Sequence, residues 1–489
     1  MPATKDTLKN AANGAKVIDA PKILAEYSSD KSFAASLSPR KVVQVSSVDE
    51  VQQIVQWANR THTPLISVSS GSPHFKGDTV PSVPEAVIVD LSGMKRILGI
   101  NPTHRMAYVE PGVTYGELLP ALAKQGLTLS TSLTPRSTKS VLTSVLEIEP
   151  RLNPHHQWLY IDPLRCVQVV WGDGNRMLTG EASMGDPDIE KQWKSEKYQV
   201  GGGPGQFDFN RMLTASQGTM GIVTWASLRC ERLPQIHKMY FAAASKINPL
   251  LDMLYRILKL RFADELMIMS GTYLASLMGK SSQEVKEIKN GLPAWIALIG
   301  IAGRNILPAE RVTGQEQDIA EIAQQFGLQI VPALPGLKST DVLNTIINPS
   351  PEPYWKMREK GGFQDIFFVT TLDKTPGFIA TMYNLAEQYG YPSADIGIYI
   401  QPQHAGTSCH CEFHLPYDPQ NLKETQIVRD LFNKASTELS LQGAYYARPY
   451  GSWSKLQFNK DAQTTVTLKK LKGIFDPNGI MNPGKLSNY

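Results

Sequence analysis

The stretch QHAGTSCHCEFHLPYDP at positions 403 to 419 holds three of the chain's nine histidines, two of its four cysteines and a glutamate. Its centre, His410-x-Glu412-x-His414, repeats at every second residue, so on a β-strand both imidazoles and the carboxylate share one face. With His404 they could ligate zinc, manganese or iron, since neutral imidazoles and a carboxylate suit such ions. The same side chains could line a substrate pocket, or pack and hydrogen-bond inside a core. All three readings stand at this level. Cys409-His410-Cys411 is no zinc-finger pair, because its spacing lacks Cys-x-x-Cys and no second pair follows.

A second chemistry is offered by PLISVSSGSPHFKGD at 64 to 78. An apolar, β-prone run opens at Ser69 into small residues, with His74 and Lys76 beside them. Ser69, Ser70, Gly71 and Ser72 can bring N–H and hydroxyl donors close to an anion. A surface turn would use the same residues. Lys76 could balance phosphate charge, but a solvated lysine is the simpler expectation. His155-His156, after Pro154, is expected on a loop surface.

The elements that must carry these groups are legible. KVVQV (41–45), PLISV (64–68), AVIVDL (86–91) and MAYVEPG (106–112) are strand candidates. Ser47-Val-Asp-Glu50 and Thr114-Tyr-Gly-Glu117 are capping boxes, each opening a run with apolar residues at helical spacing. Strand–helix–strand alternation argues for α/β organisation. CVQVVWGDGNRML reads as a hairpin and GTMGIVTWASLRC as a glycine turn feeding a long strand. Glu231-Arg-Leu-Pro234 marks a domain boundary. Beyond it, strands alternate with amphipathic helices such as ERVTGQEQDIAEIAQQFG. QTTVTLKKLKGIF is a helix near the end.

Bulk properties narrow the class. A chain of 489 residues implies two or three domains. A net charge of +4, with no dense basic run interleaved with aromatics, argues against nucleic acid. Four cysteines make no disulfide framework and favour a reducing compartment. MPATKDTLKNAANGAK has no apolar signal core, and LPAWIALIGIAG (292–303) is too short to span a bilayer and reads as a buried strand. A cytoplasmic protein without membrane contact is expected. No GxGxxG follows a strand and opens a helix, and GGGPGQ (201–206) is neither that motif nor a Walker A loop.

Five stretches, in order, resemble flavoproteins of the vanillyl-alcohol oxidase and para-cresol methylhydroxylase (PCMH) family. They are the 64–78 loop, VEPGVTYGELLPAL (109–122), SVLTSVLE (140–147), ASQGTMGIVTWASL (215–228) and FDPNGIMNPGK (475–485). The resemblance implies an α+β protein with an FAD-binding domain of PCMH type in two parts, residues 1–235 and a returning segment 441–489. An α/β cap domain, residues 236–440, would cover the flavin. It implies FAD held by Ser69, Ser70, Gly71, Ser72, Pro73, His74, Ser140, Val141, Thr143, Ser144, Gly221, Ile222, Val223, Asn482 and Lys485. Pro73 stands where some members attach FAD through histidine, which favours noncovalent FAD. Thr143-Ser144 replaces the usual Gly-Asn.

For the phenol-oxidising branch, the resemblance points to GAYYARPYGSW (443–453), where Tyr445, Tyr446 and Arg448 match its phenolate-binding tyrosine and arginine. His74 takes the place of a further phenolate-binding tyrosine, His410 falls on a histidine near the substrate, and Gln157 replaces the catalytic aspartate. The function implied is hydride transfer from a small aromatic alcohol or para-substituted phenol to flavin N5, because fixed donors at a phenolate oxygen lower the barrier. The 403–419 stretch also resembles the metal-binding segment of flavin-dependent D-2-hydroxy-acid dehydrogenases, without its Asp-Gly-Asn. Lactate- or glycolate-type oxidation, assisted by a divalent metal on His404, His410, Glu412 and His414, is therefore the alternative. A noncatalytic flavin-binding protein is a third. Oxygen or a redox protein would accept the electrons, and a homodimer is implied by resemblance alone.

Overall fold

The computed structural model describes residues 7–12, 14–155, 162–184, 186, 188–194, 208–458 and 460–486. Gln157, His156 and the glycine-rich 201–206 run lie outside the described residues.

β1 (Lys16–Ile18), β2 (Lys41–Gln44), β3 (Leu65–Val68) and β4 (Val87–Asp90) form a sheet in the order β1-β2-β4-β3, with β2, β4 and β3 parallel. The helix Val48–Thr61 crosses from β2 to β3. Ser47 caps it by accepting from the Glu50 N–H at 3.3 Å, but the Glu50 carboxylate accepts from the Ser46 N–H at 2.7 Å, one residue before the position a capping box uses. Val51, Ile54, Val55 and Ala58 are fully buried, in one core with Val43, Val87 and Val89. The C-terminal segment pairs with β3: the Leu65 N–H donates to Ile480 O and the Asn482 N–H to Leu65 O, both at 2.8 Å.

The second sheet is antiparallel, in the order β5-β6-β10-β8-β9. It contains β5 (Ile97–Asn101), β6 (Met106–Val109), β8 (Leu164–Trp171), β9 (Arg176–Leu178) and β10 (Gly221–Arg229). β7 (Leu127–Thr128) pairs separately with β11 (Glu231–Arg232). The helix Tyr115–Ala123 opens on the expected capping box of Thr114 and Glu117. It buries Leu118 and Leu122 in one core with Val109 and Val169.

The third sheet has seven antiparallel strands in the order β15-β12-β14-β13-β19-β20-β18. These are β12 (Ile236–Ala244), β13 (Glu265–Ser270), β14 (Trp295–Gly303), β15 (Ile330–Val331), β18 (Gly362–Thr370), β19 (Gly397–Gln403) and β20 (Ser408–Tyr417). β16 (Ala333–Leu334) and β17 (Leu337–Lys338) form a small hairpin beside it. The apolar 292–303 run becomes β14, buried throughout.

Alternation along the strands divides this sheet into an apolar and a functional face. Ile366, Phe368, Ile398, Ile400, Cys409, Cys411 and Phe413 share a core with the helices Asn248–Lys259, Thr375–Tyr389 and Leu422–Leu441. Their neighbours Asp365, Phe367, Tyr399, His410 and Glu412 line a cavity on the other side. All four cysteines are free and buried. Among the described residues no helix is long and apolar enough to cross a membrane.

Candidate active site

Two connected cavities meet where β3, β10 and the 445–453 loop approach the seven-stranded sheet. The first is a cleft. Ser69, Ser70, Pro73, His74, Thr143, Gly221 and Val223 line it, as do Lys76, Asp78, Arg136, Lys139, Glu147 and Tyr450, which sequence reasoning had not assigned to the flavin. Ser69 Oγ lies 2.5 Å from Thr143 Oγ1, and Ser70 Oγ accepts from the Ser140 N–H at 3.0 Å. The two flavin motifs, separated by some seventy positions, are thereby joined.

Other expected cofactor residues have structural places instead. Gly71 and Ser72 are on the exposed side of the loop, and the Gly71 carbonyl accepts from Arg136 Nη2 at 3.0 Å. Ser140 is the N-cap of the helix Val141–Leu146, in which Val141 is core. Ser144 Oγ donates to Glu149. Ile222 belongs to the core around β2 and β4. Asn482 ties the cleft's wall together by donating to Asp78 O at 3.0 Å and Gln217 O at 2.7 Å. Lys485 lines the second cavity.

Lys76 is not the solvated lysine expected. Its ammonium lies 2.7 Å from Glu147 and 3.4 Å from Glu149, and Lys139 lies 2.8 and 2.7 Å from the same carboxylates. Burial opposes all four charges, yet the ion pairing wins: both lysines are held above and both glutamates below their ordinary range. Burial, reinforced by Arg136, lowers His74 to about 4. Burial, with Glu147 nearby, raises Asp78 to about 6.

The second cavity is a chamber of about 780 Å³. Its floor is the functional face of β18, β20 and β19. Cross-strand pairing sets Asp365 beside His414 and Phe367 beside Glu412, with Tyr399 on the far side of Glu412. The Tyr273 ring stacks on Tyr399 at 5.4 Å, which Gly397 permits, since a Cβ there would approach Tyr273 Cδ2 to 3.0 Å.

The histidine–glutamate face is real, but an ammonium occupies it. Lys356 Nζ lies 2.6 Å from Asp365 Oδ2 and 2.5 Å from Glu412 Oε1, and the Tyr273 hydroxyl donates to the same Glu412 oxygen at 2.8 Å. His410 Nε2 is 3.3 Å from Glu412 Oε2, whereas His414 Nδ1 turns to Asp365 Oδ1 at 2.7 Å. His404 sits beyond the end of β19, in the turn His404–Gly406. Among the described residues no three His, Cys, Asp or Glu side chains converge as ligands of one ion. The metal set allowed by the spacing is thus replaced by a salt-bridge network. Burial works against the Glu412 carboxylate, but Lys356 and His410 hold it well below the usual range. Burial also lowers His410, outweighing the opposite effect of Glu412.

The 445–453 loop departs from the motif register. Tyr445 is half-exposed, with its backbone paired to Val369, and is not in the chamber wall. Tyr446 is core: its hydroxyl donates to Ser436 O at 2.7 Å and its ring stacks on Trp453 at 4.6 Å. Arg448 does enter the wall, its guanidinium 4.1 Å from the Phe367 centroid. The tyrosine that accompanies it is Tyr450, which lines both cavities. Gln217 fixes this arrangement by donating to Pro449 O at 3.0 Å. His74 lines the cleft rather than the chamber. His155 is half-buried, with Nε2 2.9 Å from Phe262 O, and not on a loop surface.

The cleft fits a flavin dinucleotide by the chemistry of its lining. Serine and threonine hydroxyls and two lysines suit a diphosphate, and Leu142, Leu146, Leu213 and Val223 beside Gly221 suit a flat ring. Comparison with known proteins agrees. The family model for an FAD binding domain matches residues 39–142, and that for FAD linked oxidases, C-terminal domain, matches residues 368–486. The two matched stretches are those of an FAD binding domain and of FAD linked oxidases, and the fold is of PCMH type. It is 22% identical to the D-2-hydroxyglutarate dehydrogenase of Stutzerimonas stutzeri, over 99% of each chain. Substrate-bound p-cresol methylhydroxylase superposes with a TM-score of 0.81 at 19% identity, over 96% of this chain and 93% of that one. The 4-ethylphenol oxidase of Gulosibacter chungangensis gives 0.82 at 17%, over 99% and 96%.

Proposed function

We propose that this chain removes hydride from a small aromatic alcohol or para-substituted phenol, with FAD held by Ser69, Ser70, Thr143, Lys76 and Lys139. Bound there, FAD supplies the two-electron acceptor. The observation that carries the reading is Arg448. It is a buried guanidinium stacked on Phe367 in an aromatic chamber, and among the described residues no carboxylate pairs with it. Arg448 and the Tyr450 hydroxyl would hold the phenol as its phenolate, whose charge flows into the ring as hydride leaves the benzylic carbon.

For an alcohol, the hydroxyl proton needs a base. Glu412 is ionised, so His410 Nε2–H donates to it and Nδ1 is the ring's basic atom. Neutral His410 takes the proton, and the Glu412 carboxylate stabilises the imidazolium formed. Lys356 acts through Glu412 and is a positioning residue.

A D-2-hydroxy acid is the second reading, favoured by the whole-chain likeness to D-2-hydroxyglutarate dehydrogenase. Visible spectra of the purified protein, recorded anaerobically with each substrate class and with and without chelator, test both. Bleaching by a para-alkylphenol or benzylic alcohol, indifferent to chelator, supports the first reading. Bleaching by the hydroxy acid alone overturns it.

A further inference from the structure

Resting on that reading, we propose that the chamber has a second anion seat at Arg136, and that its substrate is a phenol, its oxygen held by Arg448, whose para side chain carries a carboxylate beyond the benzylic C–H carbon. Arg136 is 6% exposed and lines both cleft and chamber. The loop that carries it is pinned to the cap: the Ser137 N–H donates to Ser350 O at 2.8 Å and the Ser350 N–H to Pro135 O at 2.7 Å. Its guanidinium carbon lies 5.4 Å from the Phe75 centroid, and Nη2 is committed to Gly71 O.

Nη1 is buried without a hydrogen-bond partner. The nearest carboxylate, Glu352, is 3.6 Å away, 37% exposed, and already accepts from the Thr138 hydroxyl at 2.8 Å. A buried guanidinium with one donor unused strongly favours an anion. The Tyr354 hydroxyl is a second donor in the same wall: its ring lies 5.8 Å from Phe75, and among the described residues it has no hydrogen-bond partner.

Charge pairing sets this seat apart from three of the chamber's lysines. Lys76 and Lys139 are matched by Glu147 and Glu149, and Lys356 by Asp365 and Glu412. Arg136 and Arg448 are the guanidiniums of the wall without a hydrogen-bonded carboxylate. Each is seated on an aromatic ring. Phe75 packs on Phe363 at 5.1 Å, and Arg448 stacks on Phe367. Phe363 and Phe367 are four positions apart on one face of β18, about 13 Å along the strand. Arg136, over Phe75, is thus towards the Phe363 end of the chamber and Arg448 at the Phe367 end.

An anion at Arg136 could come from a substrate carboxylate or from the FAD diphosphate, and the test separates them. Holoprotein is titrated with 4-hydroxybenzoate and with its methyl ester, reading the perturbation of the flavin spectrum. Wild type is expected to bind the acid about 10- to 100-fold more tightly than the ester, the range of a charged hydrogen bond. Arg136→Gln should abolish that gap while flavin content and FAD affinity stay unchanged, and Arg136→Lys should restore part of it. Arg448→Gln should weaken acid and ester equally. Equal binding of acid and ester by wild type overturns the proposal without needing any variant. Loss of FAD affinity in Arg136→Gln, with the gap intact in the protein that still holds flavin, assigns Arg136 to the diphosphate and overturns it too. The binding readout stands even if no phenol bleaches the flavin, so the seat and the oxidation fail separately.

Discussion

Lys356 Nζ lies 2.5 Å from Glu412 Oε1, joining a short helical turn to a strand 56 positions away. Lys356 is 6% and Glu412 8% exposed, so neither charge is tolerable there without the other. Lys356→Ala strands the Asp365 and Glu412 carboxylates in the chamber floor and should destabilise the protein by about 3–5 kcal/mol in equilibrium urea unfolding. Glu412→Gln leaves Lys356 its bond to Asp365 and should cost about 1–3 kcal/mol. Lys356→Ala combined with Glu412→Gln should lose less than the two single changes together, because each removes a charge that the other leaves unpaired. Additive losses would show that the pair is not coupled.

Arg448 and Tyr450 should dominate turnover of a para-alkylphenol. Both donors keep the bound phenol ionised, and removing one donor to an oxyanion typically costs on the order of 10²–10³ in rate, so Arg448→Met and Tyr450→Phe should each slow anaerobic flavin reduction on that scale. Tyr445→Phe should reduce the flavin at the wild-type rate, since that ring is outside the chamber wall. The reverse pattern would restore Tyr445 to the site.

Why the motif register chose a tyrosine outside the chamber wall is physical. GAYYARPYGSW supplies three tyrosines within six positions, and a loop has no fixed period to say which points inward. The answer comes from Val369, which pairs with the Tyr445 backbone and turns that residue outward, and from Gln217, which draws Pro449 towards the cleft. Both partners are distant in sequence. By contrast, CHCEFHL states its geometry outright: alternation sends cysteines and phenylalanine to one side and histidines and glutamate to the other. What that run cannot state is the cation that meets it. Lys356 belongs to no motif, and Lys76 looks like any surface lysine until Glu147 and Glu149 fold against it.

His410 makes alcohol oxidation pH-dependent. Burial lowers its pKa, so the base form prevails at neutral pH and is lost as pH falls. The rate of flavin reduction by a benzylic alcohol should therefore be flat near neutrality and decline on an acid limb centred below the ordinary 6.5. His410→Gln should lower the plateau about 10²- to 10⁴-fold, the usual weight of general-base catalysis, and remove the limb. Rapid-mixing rates across the acid range check this, and a limb that survives in His410→Gln would assign the base elsewhere.

His74 should contribute an acid-sensitive loss of stability. Its folded pKa is about 4, against 6.5 for an unperturbed imidazole, because the cleft buries it and Arg136 stands near. Between those values the unfolded chain binds the proton and the folded one does not, so stability falls as pH drops from 6.5 to about 4 and this contribution then levels off. The full effect is at most about 3 kcal/mol. Below about 4.5 a second loss begins, as Glu147 and Glu149, ionised in the folded protein by their lysines, are protonated more readily in the unfolded chain. Asp78, raised to about 6 in the folded protein, gains stability over the same interval as it takes up a proton, so the His74 contribution is read as the difference in melting temperature between wild type and His74→Gln from pH 7 to 4. That difference should move against wild type as pH falls from 6.5 to about 4, since Asp78 and the glutamates act alike in both proteins. If His74→Gln follows the wild-type curve throughout, His74 does not carry the upper part of the acid sensitivity.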